Sequence, residues 1–143
     1  YFFHFISDAE GFGLATFESL ACETPIIVTM TGGLQEQVTD GVNWFGLGIE
    51  PTSKAVIGSQ EVPYIYEDRI SQEVFVETLI KFYNFSQEER DLRGKLGRKH
   101  LMDNYGMNNF AKQWEEVLDN VVQNCGSWES RKNYKTWELT EIK

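Results

Sequence analysis

The run Glu10-Gly11-Phe12-Gly13-Leu14-Ala15-Thr16-Phe17-Glu18 decides the fold, because it joins a strand-like segment to a helical one. Before it, Tyr1 to Ile6 are β-branched or aromatic apart from His4, which predicts a buried strand. Ser7 to Gly13 is a polar, glycine-rich connection, and Leu14, Phe17, Leu20 and Ala21 then repeat at helical spacing up to Cys22. Thr24-Pro25 ends that helix, since proline drives the residue before it out of the helical region. Ile26-Ile27-Val28 is a continuous apolar run, as expected of a parallel sheet covered on both faces. Gly32-Gly33 turns the chain into a short helix over Leu34 to Val38, and Asp40-Gly41 turns it again into a strand over Trp44 to Ile49. Strand, helix, strand, helix, strand is an α/β pattern, here a Rossmann-like parallel sheet with flanking helices.

The position of the opening run also carries chemistry. Open α/β sheets bind ligands at the carboxyl ends of their strands. Glycines there let the backbone approach a ligand, and the free N–H groups of a helix start attract an anion such as a diphosphate. Glu10 precedes the helix and Glu18 lies within it. Carboxylates accept hydrogen bonds from paired hydroxyls, so two of them beside a phosphate site suit a nucleotide sugar. Taken singly, a Gly-x-Gly loop more often serves a turn, and Glu10 needs no role beyond favouring the positive helix end.

Composition narrows the partners. The chain has 143 residues, 41% hydrophobic and 24% charged, enough for a packed core. Lys and Arg number 13 against 22 acids, a net charge of -9, which argues against nucleic acid because backbone phosphates need clustered cations. No apolar run approaches the roughly 20 residues of a membrane span, so a transmembrane segment is not expected. Two distant cysteines, Cys22 and Cys125, make neither a disulfide scaffold nor a zinc cluster, and imply a reducing, cytoplasmic setting. Tyr1, not a methionine, stands inside the first strand-like run, as in a fragment of a longer protein.

The second half reads differently. Glu50 to Asp68 is a long excursion with a candidate strand at Val62 to Tyr66. Phe75, Leu79, Phe82 and Tyr83 form one helical stripe, Ser86 with Glu89 a capping box, and Leu92, Leu96 and His100-Leu101 a second stripe. Phe110, Trp114, Val117, Leu118 and Val121 give the cleanest stripe, expected to pack in a core. Gly126 to Lys143 is a polar tail bearing Trp128, Tyr134 and Trp137. His4 reads as a core histidine, His100 as a partly buried helix residue, and Cys22 as a small buried hydrophobe.

Four motifs in order resemble the C-terminal, donor-binding domain of the family 4 glycosyltransferases, which have two-domain GT-B architecture. Glu10 and Glu18 match that family's E-x7-E, with Gly11-Phe12-Gly13-Leu14 after the first acid. Glu18 to Pro25 is similar to its E-A-M-A-C-G-T-P, Thr31 to Glu36 to its G-G-x-x-E, and Asp40 to Asn43 to its D-G-x-x turn. The resemblance implies that this is the latter part of a GT-B C-terminal domain, residues 1–125, followed by a tail or crossover segment, 126–143. It implies hexosyltransferase-like transfer from a nucleotide-sugar donor to an unknown acceptor, with retention, no metal and no cofactor. Glu10 would lie beside the donor sugar as the catalytic-site acid, Glu18 would hold the ribose, and backbone N–H groups of Gly11, Phe12, Gly13 and Leu14 would contact sugar and diphosphate.

Departures from the family pattern are informative. Glu23 stands where glycine is usual, Asp8 adds a charge near Glu10, and the Glu50 to Asp68 excursion is longer than the family's connection. The family's upstream Arg and Lys clamp has no counterpart in this chain. The isolated chain is therefore expected to be inactive without an N-terminal acceptor domain. Its open sheet edge and aromatic tail suggest a homodimer. A sugar-nucleotide isomerase of the same fold and a non-catalytic binding half-domain are the alternatives.

Overall fold

The computed structural model describes residues 2–127 and 129–132. The chain divides into two compact units, residues 1–104 and 105–143. In the first, β1 (Phe3–Phe5), β2 (Ile26–Thr29) and β3 (Gly46–Ile49) form a parallel sheet in the order β1-β2-β3. Phe3 pairs with Ile26, and Ile26 with Gly46. Between these strands run α1 (Leu14–Ala21) and α2 (Leu34–Val38). After β3 come β4 (Ser53–Ile57) and β5 (Ile65–Arg69), then α3 (Gln72–Tyr83) and α4 (Gln87–Tyr105). The fold is α/β and Rossmann-like.

Alternation along β2 assigns its residues to two apolar layers, because successive side chains leave a strand on opposite faces. Ile26 and Val28 pack with Leu20, Leu34, Val38, Phe45 and Leu101 on one face. Ile27 packs with Leu47, Ile49 and Phe82 on the other, joined by Val74, Phe75 and Leu79 of α3. All four residues of β2 are buried, as a central parallel strand requires.

Several expectations need correction. β1 is half-buried, with Phe2, His4 and Ile6 exposed, because it lies at the edge of the sheet. His4 is therefore not a core residue; its ring lies beside Phe2 and Phe75. The third strand begins at Gly46, and Trp44 instead forms an isolated bridge to Thr39. The Glu50 to Asp68 excursion holds two strands, not one, in an antiparallel hairpin pairing Val56 with Tyr66 and Ile57 with Ile65. Cys22 is exposed at the C-cap of α1, although Leu20 in the last turn is buried. On α4 the buried residues are Gly94, Gly97 and Leu101, while Leu92 is exposed. His100 is partly buried as expected, with Nε2 3.2 Å from the Glu36 carbonyl and its ring 4.7 Å from that of Phe45.

The second unit contains α5 (Met107–Cys125). Phe110, Trp114, Val117, Leu118 and Val121 are half-exposed, so this stripe is not core. Among the described residues of that unit there is no second helix or strand to oppose it. Trp128, Tyr134 and Trp137 lie outside the described residues, as does Tyr1.

Candidate donor-binding site

Two turns meet at the carboxyl ends of β1 and β2. The first is the Ser7 to Gly13 connection, and the second is Thr31 to Gly33. A Cβ built on Gly32 would stand 1.7 Å from the Glu10 carbonyl oxygen, and one on Gly33 would stand 2.9 Å from Phe12 Cα. Backbone therefore touches backbone, and no side chain fits between the two motifs. Gly32 also has φ +48, in the left-handed region that glycine occupies without strain.

The Glu10 carboxylate turns toward its own loop. Its Oε1 accepts from Phe12 N–H at 3.2 Å and Gly13 N–H at 3.1 Å. This places a negative charge at the start of α1, where the helix dipole favours it. Gly13 precedes the helix with φ +89, and its carbonyl accepts the first helical bond, from Phe17 N–H at 3.3 Å. Among the described residues, the N–H groups of Leu14 and Ala15 meet no acceptor.

A buried polar pair holds the loop from beneath. Thr16 and Gln37 are both buried, and the single proton of the Thr16 hydroxyl is shared between the Gly13 carbonyl at 2.6 Å and Gln37 Oε1. Gln37 Nε2 donates to the Phe12 carbonyl. One glutamine of α2 thus ties the loop to α1. Buried polar groups that satisfy one another fix a geometry, since breaking either bond strands a desolvated partner.

Residues 2–82, more than half of the chain, match the family described as glycosyl transferases group 1. The chain belongs to the group 1 glycosyl transferases. It is also similar to an uncharacterized glycosyltransferase of Methanocaldococcus jannaschii, 51% identical over 37 residues. That match covers 26% of this chain and 10% of the relative, so the chain spans only a small part of that protein's length.

In this group 1 glycosyl transferase chain, Glu18 lies exposed on α1, just over one turn beyond Leu14. Its carboxylate has no partner among the described residues. Phe12 and Leu14 are exposed at the mouth of the loop, Phe12 with its ring 5.0 Å from Phe17. Gly13 is buried against Leu34 and Thr16, while Gly11 borders open space. The six expected site residues, Glu10, Gly11, Phe12, Gly13, Leu14 and Glu18, therefore share one loop and the first turns of one helix.

Sequence reasoning missed Thr16, Gln37 and Arg69. Thr16 sits inside the quoted run, but a threonine in a helix carries no signal of its partner 21 residues later. Arg69, at the end of β5, pairs with Asp8. The Glu67 carboxylate bonded to Arg69, with Asp8 beside it, holds the guanidinium pKa above its ordinary value. A cavity of about 630 Å3 opens nearby between His4, Phe5, Ile6, Ile70, Ser71, Gln72 and Phe75, and none of the six site residues lines it.

Proposed function

We propose that this chain is the donor-binding part of a family 4-like GT-B enzyme that transfers a hexosyl group, with retention, from a nucleotide sugar to an acceptor hydroxyl. The observation that carries this reading is the backbone contact between Gly32-Gly33 and Glu10 to Phe12, which builds one binding edge at the carboxyl ends of two parallel strands. In the reaction the bond from the anomeric carbon to the diphosphate breaks and a bond to the acceptor oxygen forms. The acceptor proton leaves with the nucleoside diphosphate. Fixed N–H groups at the start of α1, those of Leu14 and Ala15 foremost, stabilise the charge that develops on the departing diphosphate.

Glu18, exposed and unpaired, is the ribose ligand of this reading, and Glu10 meets the sugar ring. The Phe12 and Gly13 N–H groups already serve Glu10, so they orient the acid rather than grip phosphate. The acceptor is held by a further domain, and we place the enzyme in the cytoplasm, working without a metal. Among the described residues no helix is long and apolar enough to cross a membrane.

The test begins with binding. Uridine diphosphate and guanosine diphosphate are titrated into the 15N-labelled chain, and the Glu18→Ala variant is compared with the parent. Two lost charge-assisted bonds, each worth about 1.5–3 kcal/mol, should weaken the better nucleotide at least about a hundredfold. Equal affinity rules out the ribose role. Glu10→Gln keeps an acceptor oxygen for Phe12 and Gly13, so the loop stays in place. In the enzyme that contains this chain, that variant should lower kcat more than donor affinity.

A further inference from the structure

The structure joins Asp8 to the long excursion after β3. The excursion is the β4–β5 hairpin, and its last two residues reach back to the loop after β1. Asp68 N–H donates to the Asp8 carbonyl at 2.7 Å, and Arg69 Nη1 pairs with the Asp8 carboxylate. Arg69 is itself held in place. Its Nη2 bonds Glu67 Oε2 at 2.6 Å, and its carbonyl accepts from Thr52 N–H at 2.8 Å and Thr52 Oγ1 at 3.1 Å. Lys54 faces Asp68 at 3.6 Å across the same ladder.

The loop between Ser7 and Glu10 is tethered residue by residue. Ser7 N–H donates to Thr29 Oγ1 at 3.4 Å, and Ser7 Oγ to the Ala9 carbonyl at 2.7 Å. Asp8 is bound to β5 by both main chain and side chain, and Glu10 ends the segment on Phe12 and Gly13. The hairpin supplies two of these anchors. Arg69 also sets a positive charge, shared with Glu67, against the Asp8 carboxylate two residues from Glu10.

We propose that the β4–β5 hairpin is part of the donor site and that Arg69 is a positioning residue, acting through Asp8 to hold Glu10 on the Phe12 and Gly13 N–H groups. The inference rests on reading this loop as the donor site. An ion pair this exposed adds little to global stability, so its effect is local.

Amide hydrogen exchange on the full chain tests it. In Arg69→Met, the Phe12 and Gly13 amides should exchange about two- to fivefold faster, the range an exposed ion pair supports, while Ile27 and Val28 in β2 stay unchanged. Arg69→Lys should recover most of the protection, because a single ammonium still reaches Asp8. Asp8→Asn should match Arg69→Met, and the double variant should be no worse than either. Titrated with uridine diphosphate and guanosine diphosphate, Arg69→Met should bind the better nucleotide more weakly by a similar factor. Unchanged exchange at Phe12 and Gly13 overturns the inference, and so does equal acceleration in β2, which would mean a role in stability alone. A loosened loop with undiminished nucleotide affinity overturns it as well. Failure of Glu18→Ala to weaken binding removes the donor reading and leaves the exchange result standing, so the two failures are distinguishable.

Discussion

Asp40 closes a turn by accepting three hydrogen bonds. Its Oδ1 takes Val42 N–H at 2.9 Å and Asn43 N–H at 2.6 Å, and its Oδ2 takes Asn43 Nδ2 at 2.9 Å. The Asn43 side chain, then the Asn43 and Val42 N–H groups, hold its pKa down at about 2. A depressed folded pKa contributes stability above the ordinary value of 3.8, and that contribution fades as pH falls through about 2. Carboxyl-detected NMR should find the Asp40 midpoint near 2, and a midpoint near 3.8 would refute the turn geometry. The Asp-Gly-Val-Asn pattern was legible because its partners are two and three residues away. Glu23 was legible too. It stands where glycine is usual, and it adopts φ +56, the left-handed conformation that ends helices. Thr16 and Gln37 were not legible, because each finds its partner only when α1 and α2 come together.

At the scale of elements, α4 shows how a stripe can mislead. Leucines at helical spacing point to Leu92, Leu96 and Leu101; Leu96 and Leu101 reach the core, but Leu92 is exposed and the helix also buries Gly94 and Gly97. A Cβ on Gly94 would stand 2.0 Å from the Glu23 carbonyl oxygen, and one on Gly97 would stand 2.6 Å from Leu20 Cδ2. Gly94→Ala gains about 1 kcal/mol of helix propensity. It must also push backbone away, and overpacking of this kind costs about 1–3 kcal/mol. Placed against main chain, the clash should win, and urea denaturation should show a net loss of up to about 2 kcal/mol. Lys95→Ala on the exposed side should stay within about 0.5 kcal/mol. A Gly94→Ala variant more stable than the parent would mean that α4 does not approach Glu23 so closely. Hydrophobic periodicity does not register glycine, so close approach of backbones is invisible to it.

For the whole molecule the balance of charge near the loop matters most. Asp8, Glu10 and Glu18 are acids, and Arg69 is already engaged by Asp8 and Glu67. A departing diphosphate needs positive charge that these residues do not supply. We therefore expect the 143-residue chain alone to bind nucleoside diphosphates weakly, on the order of millimolar. It should release none from a nucleotide sugar in the presence of acceptors, as followed by chromatography of the products. Release above the uncatalysed rate would show that no further domain is needed. The sequence by itself determined the alternation of strand and helix, a buried strand at Ile26-Ile27-Val28, and the loop and helix start with their two acids. These follow from local periodicity, proline and glycine, and short-range spacing. Only the tertiary structure decided that α4 packs through glycine beside Leu96 and Leu101, that the stripe on α5 is half-exposed, and that a hairpin returns Arg69 to Asp8. Each of these depends on which distant segment arrives at a surface, and that is settled by packing and chain crossing rather than by neighbours in sequence.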